Sequence, residues 1–226
     1  MMKETITILT LSKGRMKAEA EKVFKKNKLK IARKSERSLI GSIKGYSNIR
    51  VLYMNATEII EALGKGIGDI GISGKDLWRE SEQSIQSNIA LAKEYNWGRS
   101  DLIVAVDTMW LDCVNPTDLE DISYEFYQKK KRLMRCATKF KNLAHAWFNS
   151  KGITQYELIT SLGATEAANK LTADLIVDLK STGETLRQNN LKVIDTILSS
   201  SACLFYSKKS IKKKGVKKIL KLLSKN

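Results

Sequence analysis

The stretch Leu175-Ile-Val-Asp-Leu-Lys-Ser-Thr-Gly-Glu-Thr185 sets the reading of this chain. Its apolar run ends at Asp178–Leu179, small hydroxyl residues and a glycine follow, and Leu186–Asn189 then reads as helical. An apolar run of this length suits a strand buried on both faces, and a strand opening into a loop and helix is the repeating unit of an α/β protein. The loop chemistry suits an anion. Backbone N–H groups at a strand-to-helix bend point outward, Ser181, Thr182 and Thr185 add hydroxyl donors, and Gly183 lets a ligand approach closely. Asp178 stands where a carboxylate can accept hydrogen bonds from vicinal ribose hydroxyls. The same residues also suit a tight turn with capping side chains, and the spacing alone leaves both readings open.

Outward from this stretch, short apolar runs alternate with helical patterns. Strands are expected at Thr5–Leu11, Ile49–Met54, Asp69–Ser73, Asn88–Lys93, Leu102–Val106, Leu133–Thr138, Tyr156–Thr160, Leu175–Leu179 and Ala202–Tyr206. Helices are expected at Met16–Lys26, Thr57–Gly64, Thr117–Lys130, Asn142–Ser150 and Thr165–Leu171. The alternation predicts α/β with largely parallel strands. Thr117 is the expected cap of its helix, with Pro116 at the entry; Gly64 and Gly152 fall where C-caps belong. No linker divides the chain. If there are two lobes, the chain crosses at Asn96–Ser100 and Gln188–Leu191. The tail from Lys208 reads as a basic helix with Ile211, Val216, Ile219, Leu220 and Leu223 inward and Lys212, Lys213, Lys217, Lys218 and Lys221 solvated.

A chain of 226 residues is long enough to bury a core without staples. Its 40 Lys and Arg outnumber 24 Asp and Glu, for a net charge of +16, which suits polyanionic ligands; lysines scattered over polar helix faces would give the same total. Cys113, Cys136 and Cys203 are far apart in sequence, so neither a zinc site nor a disulfide framework is indicated, and reduced thiols in the cytoplasm are expected. The run Ile6–Leu11 is too short for a signal peptide, and no run approaches a membrane span.

Three further loops follow expected strands. Thr10-Leu-Ser-Lys-Gly-Arg15 lacks the spacing of a Walker loop, yet Lys13 and Arg15 beside Gly14 and a helix start can clamp phosphates; solvated basic residues at a helix entry are the plainer reading. Gly68-Asp-Ile-Gly-Ile-Ser-Gly-Lys-Asp76 lies at a strand's carboxyl end, where open α/β sheets bind ligands. Ser161-Leu-Gly-Ala-Thr-Glu166 is another such loop. His145, the one histidine, reads as a surface residue, which excludes a histidine-based triad. No GxSxG elbow is present, and Trp78, Trp97, Trp110 and Trp147 are dispersed rather than clustered for base stacking.

Together these segments resemble the ATP phosphoribosyltransferase family. Ser12-Lys-Gly-Arg15 is similar to its SKGR motif, and Asp69–Asp76 to its DLGITGKD. Arg135–Phe140 is similar to RVATKY, with Phe140 in place of Tyr. Ser161–Ala167 is similar to SGAVELA, with Leu162 departing at the Ser–Gly junction. Ala173–Asn189 is similar to ADAIVDLVSTGTTLRAN, with Lys180 where an apolar residue is usual. Order and spacing match over residues 5–206.

The resemblance implies two lobes of periplasmic-binding-protein-like (type II) architecture with the active site in the interlobe cleft. The first lobe is expected to take residues 1–97 plus 190–226, the second 98–189. It implies the short form of the family, a cytoplasmic enzyme that moves the phosphoribosyl group of phosphoribosyl pyrophosphate (PRPP) to N1 of ATP, with Mg²⁺ held mainly by substrate phosphates. A histidyl-tRNA-synthetase-like regulatory partner and a homodimeric core are implied as well, with no role for membrane or nucleic acid. A non-catalytic solute-binding protein of the same fold is the rival. The carried-over site comprises Lys13, Arg15 and Arg37 as catalytic cations, and Asp178, Ser181, Thr182, Gly183, Glu184 and Thr185 for PRPP. Gly14, Asp69, Gly74, Lys75, Gly163 and Ala164 are assigned to ATP and its phosphates.

Overall fold

The computed structural model describes residues 4–161, 165 and 172–225. The chain divides into two compact units, Met1–Arg99 with Ser201–Asn226, and Ser100–Ser200.

The first unit carries a seven-stranded sheet. Its strands are β1 (Ile6–Leu11), β2 (Ile31–Arg33), β3 (Ile40–Ile43), β4 (Tyr46–Met54), β5 (Ile70–Gly74), β6 (Ile89–Glu94) and, on the chain's return, β12 (Ala202–Ser207). The order is β2-β3-β4-β1-β5-β12-β6. β1, paired in parallel with β4 and β5, is buried along its whole length because helices pack against the sheet there. Helices α1 (Lys17–Lys26), α2 (Ala56–Gly64), α3 (Lys75–Glu80), α4 (Gln83–Ser87) and α8 (Val216–Leu223) belong to this unit. Asn55 opens α2 through a reciprocal capping box with Glu58, and Lys65 rather than Gly64 caps its end. The tail buries Val216, Ile219, Leu220 and Leu223, as the pattern predicts. Lys213 is not simply solvated, however: its ammonium is 2.8 Å from the Asp69 carboxylate.

The second unit carries β7 (Ser100–Asp107), β8 (Met134–Thr138), β9 (Tyr156–Thr160), β10 (Leu175–Lys180) and β11 (Leu191–Ser200), in the order β11-β7-β10-β8-β9. Helices α5 (Pro116–Lys130), α6 (Lys141–Ser150) and α7 (Glu184–Gln188) accompany it. Asn115, not Thr117, caps α5: its side chain accepts from the Thr117 and Asp118 N–H groups, with Pro116 at the first helical position. On α6, Trp147 is buried and its Nε1 donates to Asp195 on β11 at 2.8 Å. His145 is exposed, as expected. The helix expected at 165–171 lies outside the described residues except for Thr165.

Two expectations need correction. The sheets are mixed rather than largely parallel: β2, β3 and β12 run antiparallel to neighbours in the first, and β7 runs antiparallel to both β10 and β11 in the second. The chain crosses back at Ser200/Ser201, eleven residues later than the expected return at residue 190. The ten-residue strand β11 stays with the second unit because it pairs along β7, and Ser100 and Ser200, first and last residues of that unit, are cross-strand partners. All three cysteines are buried. Burial pushes the Cys113 thiol up to about 11 and Cys203 up to about 12, and raises Cys136 as well.

Candidate active site

In the second unit, the loop after β10 lines an open-mouthed cavity of about 140 Å³. Ile103, Ile176, Leu179 and Leu186 give it apolar surface; Asp178, Lys180, Ser181, Thr182, Gly183 and Thr185 give it polar surface. Gly183 adopts φ 81°, a left-handed conformation that turns the chain sharply into α7 and favours glycine. Thr182 Oγ1 accepts from the Glu184 N–H at 3.4 Å, and Asp178 Oδ1 accepts from the Leu179 N–H at 2.8 Å, so both side chains are steered by the backbone of their own bend. Five of the six residues expected to hold PRPP therefore line one cavity. The sixth, Glu184, is not in that lining; its carboxylate pairs with Arg187 and accepts from Gln188 along α7.

In the first unit, parallel β1, β4 and β5 send their carboxyl ends to one edge of the sheet. Lys13, Gly14 and Arg15 follow β1 there, exposed, with Gly14 at φ 90° and its carbonyl accepting from Lys17 N. Gly74 and Lys75 end β5 and open α3 at the same edge. Arg37 lies exposed in the turn joining β2 and β3, and Leu39 O accepts from Tyr53 N near the end of β4, which brings that turn to the same edge. Lys75 Nζ contacts both oxygens of Glu94, at 3.0 and 3.3 Å, and Ser201 Oγ donates to Glu94 at 2.9 Å. The Lys75 hydrogen bond, then that of Ser201, holds the Glu94 carboxyl below its ordinary value.

Asp69 does not join this group. It precedes β5, at the opposite edge, and is 1% exposed. Thr7 N, Ser210 Oγ and Lys213 Nζ, at 2.7, 2.5 and 2.8 Å, occupy its carboxylate. A buried carboxylate so fully engaged is a structural tie and is withdrawn from the ATP site. Gly163 and Ala164 lie outside the described residues. Two residues at these positions escaped the sequence reading: Glu94, whose contact with Lys75 emerges only from sheet pairing, and Lys180, which lines the cavity of the second unit.

A family model described as ATP phosphoribosyltransferase matches residues 55–225. The ATP phosphoribosyltransferase of Rhizobium etli is 40% identical over 210 residues, covering 91% of each chain. That of Brucella suis is 36% identical over 220 residues, covering 95% of each. This chain belongs to the ATP phosphoribosyltransferase family. As a member of a pentosyltransferase family it is an enzyme, and membership favours transfer over the solute-binding alternative. Among solved structures, the ATP phosphoribosyltransferase HisG:HisZ complex of Thermotoga maritima aligns with TM-score 0.77 at 23% identity, covering 97% of this chain and 96% of that one. A putative L-cystine ABC transporter protein from Listeria monocytogenes aligns at 0.56 and 15%, covering 97% and 89%. At these identities the likeness is one of fold: the phosphoribosyltransferase shares the architecture of periplasmic binding proteins. No described helix is long and apolar enough to cross a membrane.

Proposed function

We propose that this chain transfers the 5-phosphoribosyl group of PRPP to N1 of ATP with release of pyrophosphate, the first step of histidine biosynthesis, and that it does so in the cytoplasm. The observation that carries the site assignment is the cavity under residues 178–185, where a carboxylate, three hydroxyl side chains and a left-handed glycine converge. The hydroxyls of Ser181, Thr182 and Thr185 serve the donor's 5-phosphate, and Asp178 serves its ribose hydroxyls.

Adenine N1 attacks C1 of the ribose as the C1–O bond to pyrophosphate breaks, the bonding pair leaving with the pyrophosphate. N1 carries no proton, so no base is needed for the attack. The demands are to hold two polyanions together and to stabilise charge on the leaving group. Lys13, Arg15 and Arg37, at one sheet edge, supply cations for the nucleotide phosphates and the pyrophosphate, and Lys75 joins them by exchanging its Glu94 partner for a phosphate oxygen. Mg²⁺ prefers substrate oxygens and water to an all-protein cage, and Asp178 is the single carboxylate among the cavity's lining residues, so the donor set suits an ion carried in by the phosphates. When bound, the ion neutralises phosphate charge.

In the Thermotoga complex the transferase HisG is paired with HisZ. By extension, a related regulatory subunit is proposed for this chain, with a homodimer as the catalytic core. The test is to mix the chain with ATP, PRPP and Mg²⁺, with and without such a partner, and follow adduct absorbance. A PRPP-dependent rise with pyrophosphate release is expected. No product under either condition would reject the assignment.

A further inference from the structure

We propose that Lys180 is a substrate-binding cation of the phosphoribosyl loop, giving this chain a positive charge for the donor's 5-phosphate. The inference rests on the assignment of residues 178–185 to the phosphoribosyl donor. Side chains two apart on a strand share a face, so Ile176, Asp178 and Lys180 of β10 point the same way, and all three line the cavity. Ile176 contributes apolar surface, Asp178 suits sugar hydroxyls, and Lys180 stands next to the hydroxyl-rich bend.

The Lys180 stem is not extended into solvent as an idle surface lysine would be. It is half-buried, and a Cβ placed on Gly183 would lie 3.4 Å from its Cε and 4.0 Å from its Cδ. The stem therefore runs along the turn that forms the cavity wall. Its cross-strand partner on β7 is Asp101, whose carboxylate accepts from Ser199 Oγ at 2.7 Å. No ion pair joins Lys180 to a carboxylate among the described residues. A lysine on the wall of a hydroxyl-lined cavity, with no carboxylate at ion-pair distance among those residues, matches a phosphate dianion in charge and in hydrogen-bonding sense.

The test compares Lys180→Met with Thr182→Val in the full chain, assayed in the same assembly as the wild type. Lys180→Met should raise the KM for PRPP about tenfold, as loss of one charge-assisted hydrogen bond does, while leaving the KM for ATP within about twofold. The wild-type KM for PRPP should climb more steeply with salt than that of the variant, because one attractive charge pair has been removed. Ribose 5-phosphate binding, measured by titration calorimetry, isolates the subsite from the pyrophosphate end, and its Kd should weaken by a similar factor. Thr182→Val raising the PRPP KM while Lys180→Met leaves both it and ribose 5-phosphate binding unchanged would overturn the role of Lys180 alone. If neither substitution moves PRPP or ribose 5-phosphate binding, the loop assignment falls and the inference falls with it. Should Lys180→Met fold poorly, Lys180→Gln with the ribose 5-phosphate titration decides on the same criterion.

Discussion

The Lys213 ammonium lies 2.8 Å from Asp69 Oδ1, so a lysine of the basic tail neutralises a carboxylate that is 1% exposed. With Thr7 N and Ser210 Oγ on the same carboxylate, this contact ties β1 and β5 to the tail. Asp69→Ala leaves a partly buried ammonium, an amide and a hydroxyl without their acceptor. A loss of about 3 kcal/mol in urea-unfolding free energy is expected. The folded fraction should keep the wild-type KM for ATP; a KM effect without a stability effect would restore Asp69 to the site.

Arg15 is exposed at the carboxyl edge of the sheet, so its removal should disturb chemistry far more than folding. Arg15→Ala is expected to lower kcat by about 10²–10³, with unfolding free energy changed by no more than about 0.5 kcal/mol. Steady-state kinetics beside a melting curve checks both. Wild-type turnover removes Arg15 from the mechanism.

Arg132 grips Asp174 with both terminal nitrogens, at 2.6 and 2.9 Å, and Arg135 N donates to the same carboxylate at 2.8 Å. Burial alone would raise the Asp174 carboxyl, but the Arg132 hydrogen bonds and the Arg135 N–H more than reverse it, and the net shift is downward. A carboxyl lowered on folding contributes stability that is complete above its unfolded value, about 3.9, and is lost as pH falls through the lower folded value. Arg132→Met should therefore be less stable than wild type at neutral pH. The gap should narrow as unfolding is measured below about pH 4. A gap constant down to the acid limit of folding would refute the linkage.

Gly98 has φ 69°, and a Cβ there would lie 2.8 Å from Met16 Sδ and 3.3 Å from Ala202 Cβ. Gly45 has φ 85°, and a Cβ there would meet nothing within 4 Å, so it isolates the backbone cost. Gly45→Ala should cost about 1–2 kcal/mol, and Gly98→Ala more, since Met16 must shift as well. Because Met16 follows Arg15, Gly98→Ala should also lower kcat, whereas Gly45→Ala should not. Equal costs with unchanged kcat in both would show that the Met16 contact is slack.

The buried strands were legible because their apolar runs are continuous: β1, β5, β8, β10 and β12 lie within a residue or two of where the sequence puts them. β11 was not, because register shifts at Val193/Asp195 and Thr196/Leu198 break the period-two alternation that marks a half-buried strand. β2 and β3 are three and four residues long, too short to print a pattern. At the site, the loop of residues 178–185 was readable because hydroxyls and glycine cluster locally. Asp69 misled because its sequence neighbours Gly74 and Lys75 lie at the other end of the same strand. A five-residue strand separates two edges that are adjacent only in writing. Glu94 meets Lys75 through β12, a strand more than a hundred residues later, and no local spacing announces that contact.

The sequestration of Cys113, Cys136 and Cys203 has a practical consequence. Maleimides react with thiolates they can reach, and each native sulfur is both shielded and held protonated. A cysteine introduced at Met109, 81% exposed, would thus be the one sulfur a dye meets on the folded chain. Fluorescent labelling at a single chosen point needs no cysteine-free background.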